Sequence, residues 1–166
     1  MHSGDFTKYG KEVEVIDFLN WFCDLPYQNK IFVCGNHEEG LYGINIEGLD
    51  SNVHYLCNSG IEIGGIKFYG VPMFMKEQYS NYADIPDNTD VLITHTPPYG
   101  ILDFEGNVNY GSEELLQRVI AISPCLHLFG HIHRQGMIDN GITRFSNGAI
   151  MNVDAPNLYT LNLTEK

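Results

Sequence analysis

Residues 125–133 read CLHLFGHIH: an apolar run of the length of a buried strand, then a glycine, then two histidines alternating around Ile132. His131 and His133 stand where the chain leaves the strand, and Gly130 lets the backbone approach a ligand closely. The same grammar recurs upstream in VLITHTPP (91–98), KIFVCGNHEE (30–39) and MHSGD (1–5), where an apolar stretch runs out into Gly, His, Asn or Asp. Open α/β sheets gather ligand groups at the carboxyl ends of their strands. The four clusters are therefore expected to converge in one crevice.

Between these clusters the chain alternates helix and strand signals. KEVEVIDFLNWFCDL (11–25) predicts a helix with Val15, Ile16, Leu19 and Phe22 on its apolar face, feeding the strand KIFVC. NVHYLCNSGIEIGGIKFYGVP (52–72) predicts short strands with a tight hairpin at Gly64-Gly65. In GSEELLQRVIAISP (111–124), Ser112 is an N-cap, Glu113 and Glu114 favour the positive end of the helix dipole, and Leu115, Leu116, Val119 and Ile120 form the inward face. TRFSNGAI (143–150) and LYTLNL (158–163) read as further strands. With no linker, repeat or low-complexity tract, residues 1–166 parse as one α/β domain.

Composition restricts the function. Nine Lys plus Arg stand against 21 Asp plus Glu, a net charge of −12, which lacks the basic footprint of general nucleic-acid binding. A phosphorylated ligand entering this negative field needs local positive charge, and metal ions supply it. Cys23, Cys34, Cys57 and Cys125 form no C-x-x-C pair, and no apolar stretch reaches membrane-spanning length. The expectation is a reduced, cytoplasmic protein with no membrane partner.

Asp, Asn and His at strand ends offer mixed oxygen and imidazole donors suited to Zn, Mn or Fe, and the absence of a cysteine cluster argues against a thiolate zinc site. Each motif alone reads equally as a turn or a satisfied polar group. Their joint occurrence carries the signal. Arg134 reads as an exposed strand-end arginine, His54 and His127 as structural histidines, Pro97 and Pro98 as stiffeners of a turn, and Asn147 as a turn residue outside the site.

GDFT, GNHEE, HTPP and GHIH, in this order, resemble the successive motifs of the calcineurin-like metallophosphoesterases, and THTPPYGILD with HLFGHIH is especially similar to their small metallophosphoesterase-domain subfamily. The resemblance runs from Gly4 to the last strand. It implies a four-layer sandwich of two mixed β-sheets flanked by helices, and hydrolysis of phosphodiesters or phosphomonoesters at two divalent metals. It further implies that Asp5 bridges both metals, that Asn36, His95 and His131 complete one site, and that His133 belongs to the other. His37 would sit with Asn36 beside the substrate phosphate and act on it rather than bind metal.

The family's first motif, a D-x-H, lies before GD in that pattern, and no D-x-H precedes Gly4 here. The expectation is a fold truncated at its N-terminus, with Met1 already inside the second strand, one metal held tightly and the other weakly. His2 is a poor substitute, since positions three apart on a strand face opposite ways. Uncovered apolar surface would favour a homo-oligomer. Three readings stay open: a phosphoesterase of small substrates such as a cyclic nucleotide, with reduced activity; a non-catalytic metal- or nucleotide-binding remnant; and a truncation by a misassigned start.

Overall fold

The computed structural model describes residues 1–75 and 81–151. Along them run α1 (Glu12–Asp24), β1 (Lys30–Phe32), β2 (Val53–Tyr55), β3 (Ser59–Ile63), β4 (Ile66–Val71), β5 (Val91–Thr94), β6 (Phe104–Glu105), β7 (Val108–Asn109), α2 (Glu113–Ile122), β8 (Leu126–Phe129), β9 (Gly136–Asp139) and β10 (Arg144–Asn147). The predicted strand at 158–163 lies outside the described residues.

Strands β3-β4-β5-β8-β10-β9, in that spatial order, make a mixed sheet. Its centre is parallel, with β4 on β5, β5 on β8 and β8 on β10, while β3 and β9 close the edges antiparallel. β1 and β2 form a small parallel sheet. His2 extends it by a parallel bridge to Phe32, donating its N–H to the Ile31 carbonyl and accepting from Val33 N. β6 and β7 are a separate short hairpin.

Alternation along the strands stacks these sheets. Ile31, Val33 and Leu56 meet Val91, Ile93 and Leu126 in a core between the two sheets. On the outer side of the small sheet, Phe32 and Val53 pack against Phe18 and Phe22 of α1. On the far side of the large sheet, Leu92, Phe129 and Phe145 pack against Leu115, Val119 and Ile122 of α2. The layers therefore run α1, small sheet, large sheet, α2, as the resemblance implies.

Both helices are where their sequences place them, with their buried faces turned slightly. In α1, Val15, Phe18 and Phe22 are buried while Ile16 is exposed. The reason is aromatic: Phe18 stacks on Phe6 at 4.0 Å between ring centres and meets Phe32 edge-on at 5.7 Å, contacts that only the folded chain creates. In α2, Ile122 takes the inward place expected for Ile120, which is exposed. Ser112 caps α2 by accepting from Leu115 N, and the Lys30 ammonium donates to the Cys23 and Leu25 carbonyls at the end of α1. Gly64 and Gly65, both at positive φ, make the β3-β4 turn.

Candidate metal centre

Period-two alternation delivers His95 to the site. Val91 and Ile93 face the space between the sheets, so His95, next in that alternation, follows β5 there with none of its surface exposed. Gly4-Asp5 follows the His2 bridge, Asn36-His37 follows β1, and Gly130-His131 follows β8. β5 runs parallel to β8, and the His2 segment parallel to β1, and the contacts of Asp5 and Asn36 with His95 and His131 bring the carboxyl ends of both pairs to one rim.

His95 Nδ1 donates to the Ser3 carbonyl at 2.6 Å, which fixes the ring's orientation and turns Nε2 toward the site. That Nε2 lies 3.1 Å from Asn36 Oδ1 and 3.3 Å from Asp5 Oδ2. His131 Nδ1 approaches the same Asn36 oxygen at 2.9 Å. Donor atoms of Asp5, His95 and His131 all lie within 4.8 Å of one another. Oxygen and nitrogen atoms brought this close share protons or a cation between them, and this oxygen and imidazole set suits a divalent transition metal.

The backbone is shaped for this convergence. Asp5 and His131 adopt left-handed conformations, with φ of 56° and 65°, each costing about 1 kcal/mol or more for a residue with a Cβ. Such residues concentrate at functional sites. A Cβ at Gly4 would come within 2.6 Å of His95 Nδ1, and one at Gly35 within 2.6 Å of His95 Cε1 while colliding with Asp5 Oδ1. Gly35 is required by close approach, and Gly4 both by close approach and by its positive φ of 94°.

Charge follows the geometry. Burial pushes the Asp5 carboxyl upward, but its bond and attraction to His95, with the His37 N–H, hold it at about 2. Burial, reinforced by His95, lowers His131 to about 4, so its ring is neutral near pH 7.

The remaining predicted residues divide clearly. His37 is exposed, donates its backbone N–H to Asp5 Oδ1 at 3.1 Å, and places its ring Nδ1 3.0 Å from the Thr7 carbonyl. Its Nε2 is thus the ring nitrogen available to a ligand. His133 is exposed and stands apart from the Asp5-His95-His131 group, although it lines the same groove. That groove, of about 910 Å³, continues from Asp5 and His131 toward Phe18, Trp21 and Leu128. His2 turns away from the metal centre: its Nδ1 accepts from Gly4 N, and its ring meets Phe18 edge-on at 5.1 Å.

His127 faces α2 and packs on Phe129 and Phe145, with Nε2 2.9 Å from Thr94 Oγ1, while Arg134 is exposed. Asn147 is not a turn residue. It is fully buried at the end of β10 and donates to the Ile132 carbonyl at 2.8 Å and the Leu102 carbonyl at 3.2 Å, pinning the backbone between His131 and His133. The local string SNG mimics a turn; the carbonyls that claim its amide are distant in sequence. Glu38 is a second residue that local reading passes over, buried beneath the Asp5 and Asn36 turns.

Residues 1–135 match the calcineurin-like phosphoesterase family. The chain is 37% identical over 180 residues to a UPF0046 protein of Caenorhabditis elegans, covering 92% of this chain and 62% of that protein. It is 31% identical to the human metallophosphoesterase domain-containing protein 1, covering 93% of this chain and 60% of that one. This chain thus spans about three fifths of the length of these curated relatives. A solved structure superimposes with a TM-score of 0.64 at 17% identity, over 82% of this chain and 63% of the other, a likeness of fold. With its motifs gathered at one end of a layered α/β sandwich and its first 135 residues matched, the chain belongs to the calcineurin-like phosphoesterase family.

Proposed function

We propose that this chain is a metal-dependent phosphoesterase acting on a small phosphodiester, with a cyclic nucleotide as one candidate, or on a phosphomonoester. The observation that carries this reading is the convergence of Asp5, Asn36, His95 and His131 oxygen and nitrogen atoms, with donor atoms of Asp5, His95 and His131 all within 4.8 Å of one another. Those four residues would hold one divalent cation, with Mn, Fe and Zn the candidates, and His133 would contribute to a second, weaker position. A bound cation supplies positive charge for the phosphoryl oxygens and lowers the pKa of water.

The chain's own groups do the rest. Asn36 and Asp5 hold the reacting end of the substrate at the metal centre, and Asp5 and His131 also line the groove, whose volume of about 910 Å³ accommodates a nucleotide-sized ester. His37, its Nδ1 anchored on the Thr7 carbonyl, presents Nε2 to the leaving oxygen, and in its protonated form delivers the Nε2 proton there and is left as the neutral ring with its proton on Nδ1. In an acidic protein, this confined site is where an anionic substrate finds compensation.

A second reading, metal binding without turnover, is favoured by the position of His133, exposed and apart from the compact group. Turnover of a chromogenic phosphodiester with Mn²⁺, and its loss with a chelator, tests the choice. A chain that binds Mn²⁺ and hydrolyses neither phosphodiesters nor phosphomonoesters would favour the second reading.

A further inference from the structure

Glu38 has none of its surface exposed, yet no cationic side chain pairs with it among the described contacts. Its Oε2 accepts from Asp5 N at 2.9 Å and Gly35 N at 2.8 Å; its Oε1 accepts from Thr7 N at 2.9 Å and Thr7 Oγ1 at 2.7 Å. A carboxylate has about four lone-pair sites, and here all are engaged. Glu38 is therefore not itself a metal ligand, although it lies beneath the ligands.

Each donor belongs to a part of the site. Asp5 N–H is fixed while Asp5 is in its left-handed conformation, Gly35 precedes Asn36, and the Thr7 carbonyl receives the His37 ring. Four donors aimed at one buried acceptor are the inverse of an anion-binding nest, with the anion supplied by the protein. Without it the N–H groups of Asp5, Thr7 and Gly35 would be buried and unpaired.

We infer that Glu38 is the positioning residue of this centre: its carboxylate clasps the Asp5 turn to the Asn36 turn, presetting the spacing of the metal ligands and the orientation of His37. The inference rests on the metal-site reading above.

Glu38→Gln tests it, because glutamine keeps the size but turns one acceptor into a donor. Mn²⁺ titration of the whole chain should show affinity weakened by about tenfold to a hundredfold, with cooperative urea unfolding retained. Amide hydrogen exchange at Asp5, Thr7 and Gly35 should quicken in the metal-free protein. Glu62→Gln, which removes the same charge from an exposed place, should bind Mn²⁺ like the wild type.

Should Glu38→Gln not fold, Thr7→Val removes one donor to Oε1 and should weaken binding several-fold. A folded Glu38→Gln protein, or failing that a Thr7→Val protein, with wild-type Mn²⁺ affinity overturns the inference. So do unchanged exchange rates at the three amides. Wild-type protein that binds no Mn²⁺ overturns the metal reading instead, and the exchange rates then decide the clasp separately.

Discussion

His131 Nδ1 lies 2.9 Å from Asn36 Oδ1, although the two residues are 95 positions apart in the chain. Each belongs to a polar cluster that follows its own strand. The contact arises because β1 and β8 end at the same rim of the sandwich, and it joins two members of the candidate ligand set.

Metal content follows from unequal ligand sets. Asp5, Asn36, His95 and His131 converge, while His133 stands apart, so elemental analysis after dialysis should find about one ion per chain. His95→Ala should abolish it. Two tightly retained ions would contradict this inequality.

His37 should separate chemistry from binding. Its backbone N–H, which survives substitution, contacts Asp5, whereas its ring bonds only the Thr7 carbonyl in the described site. His37→Ala should therefore lower kcat by about a hundredfold or more at unchanged metal content. Metal loss in this variant would assign the ring to the ligand set.

Gly35→Ala should be among the most damaging small changes available. The added methyl meets the Asp5 side chain and lies 2.6 Å from both Asp5 N and His95 Cε1. Metal binding should be lost, and urea unfolding should show a stability loss of about 1 to 3 kcal/mol from overpacking. Normal metal affinity in this variant would mean that the Asp5 turn is freer to shift than its contacts imply.

Acid should destabilise the fold through His127. Burial lowers its pKa from the ordinary 6.5 to about 3, so below pH 6.5 the unfolded chain binds a proton that the folded chain refuses. Stability is full above that pH and declines toward pH 3, and the lowering of His2 to about 4, chiefly by burial, adds in the same direction. Urea unfolding should lose about 2 kcal/mol or more between pH ~7 and pH ~4.5. His127→Asn should be less stable near neutrality but have a flatter pH profile; an unaltered slope would shift the effect to other groups.

The strand-end motifs were legible because each is local: an apolar run fixes a strand, and the polar cluster after it fixes what the strand delivers. The helices were legible for the same reason, down to the Ser112 cap. What escaped depended on distant partners. Phe18 displaces Ile16 from the buried face because Phe6 and Phe32 wait for it. In GNHEE the two glutamates are indistinguishable on the page, yet Glu38 is drawn inward by N–H groups from the Asp5 and Thr7 turn. Asn147 likewise acquires its role only when Leu102 and Ile132 present their carbonyls.

The parallel pairing of the strands that carry the ligands has a consequence in time. Parallel neighbours cannot be joined by a tight turn, so every segment that supplies a ligand must first close a long loop, and such closures are slow. The centre cannot be complete before Asp5, Asn36, His95 and His131 have all been brought in by β1, β5, β8 and the His2 bridge. Recovery of full metal affinity during refolding therefore cannot run ahead of the slowest of these closures, and the cation, added to refolding protein, becomes a clock for the last stage of assembly.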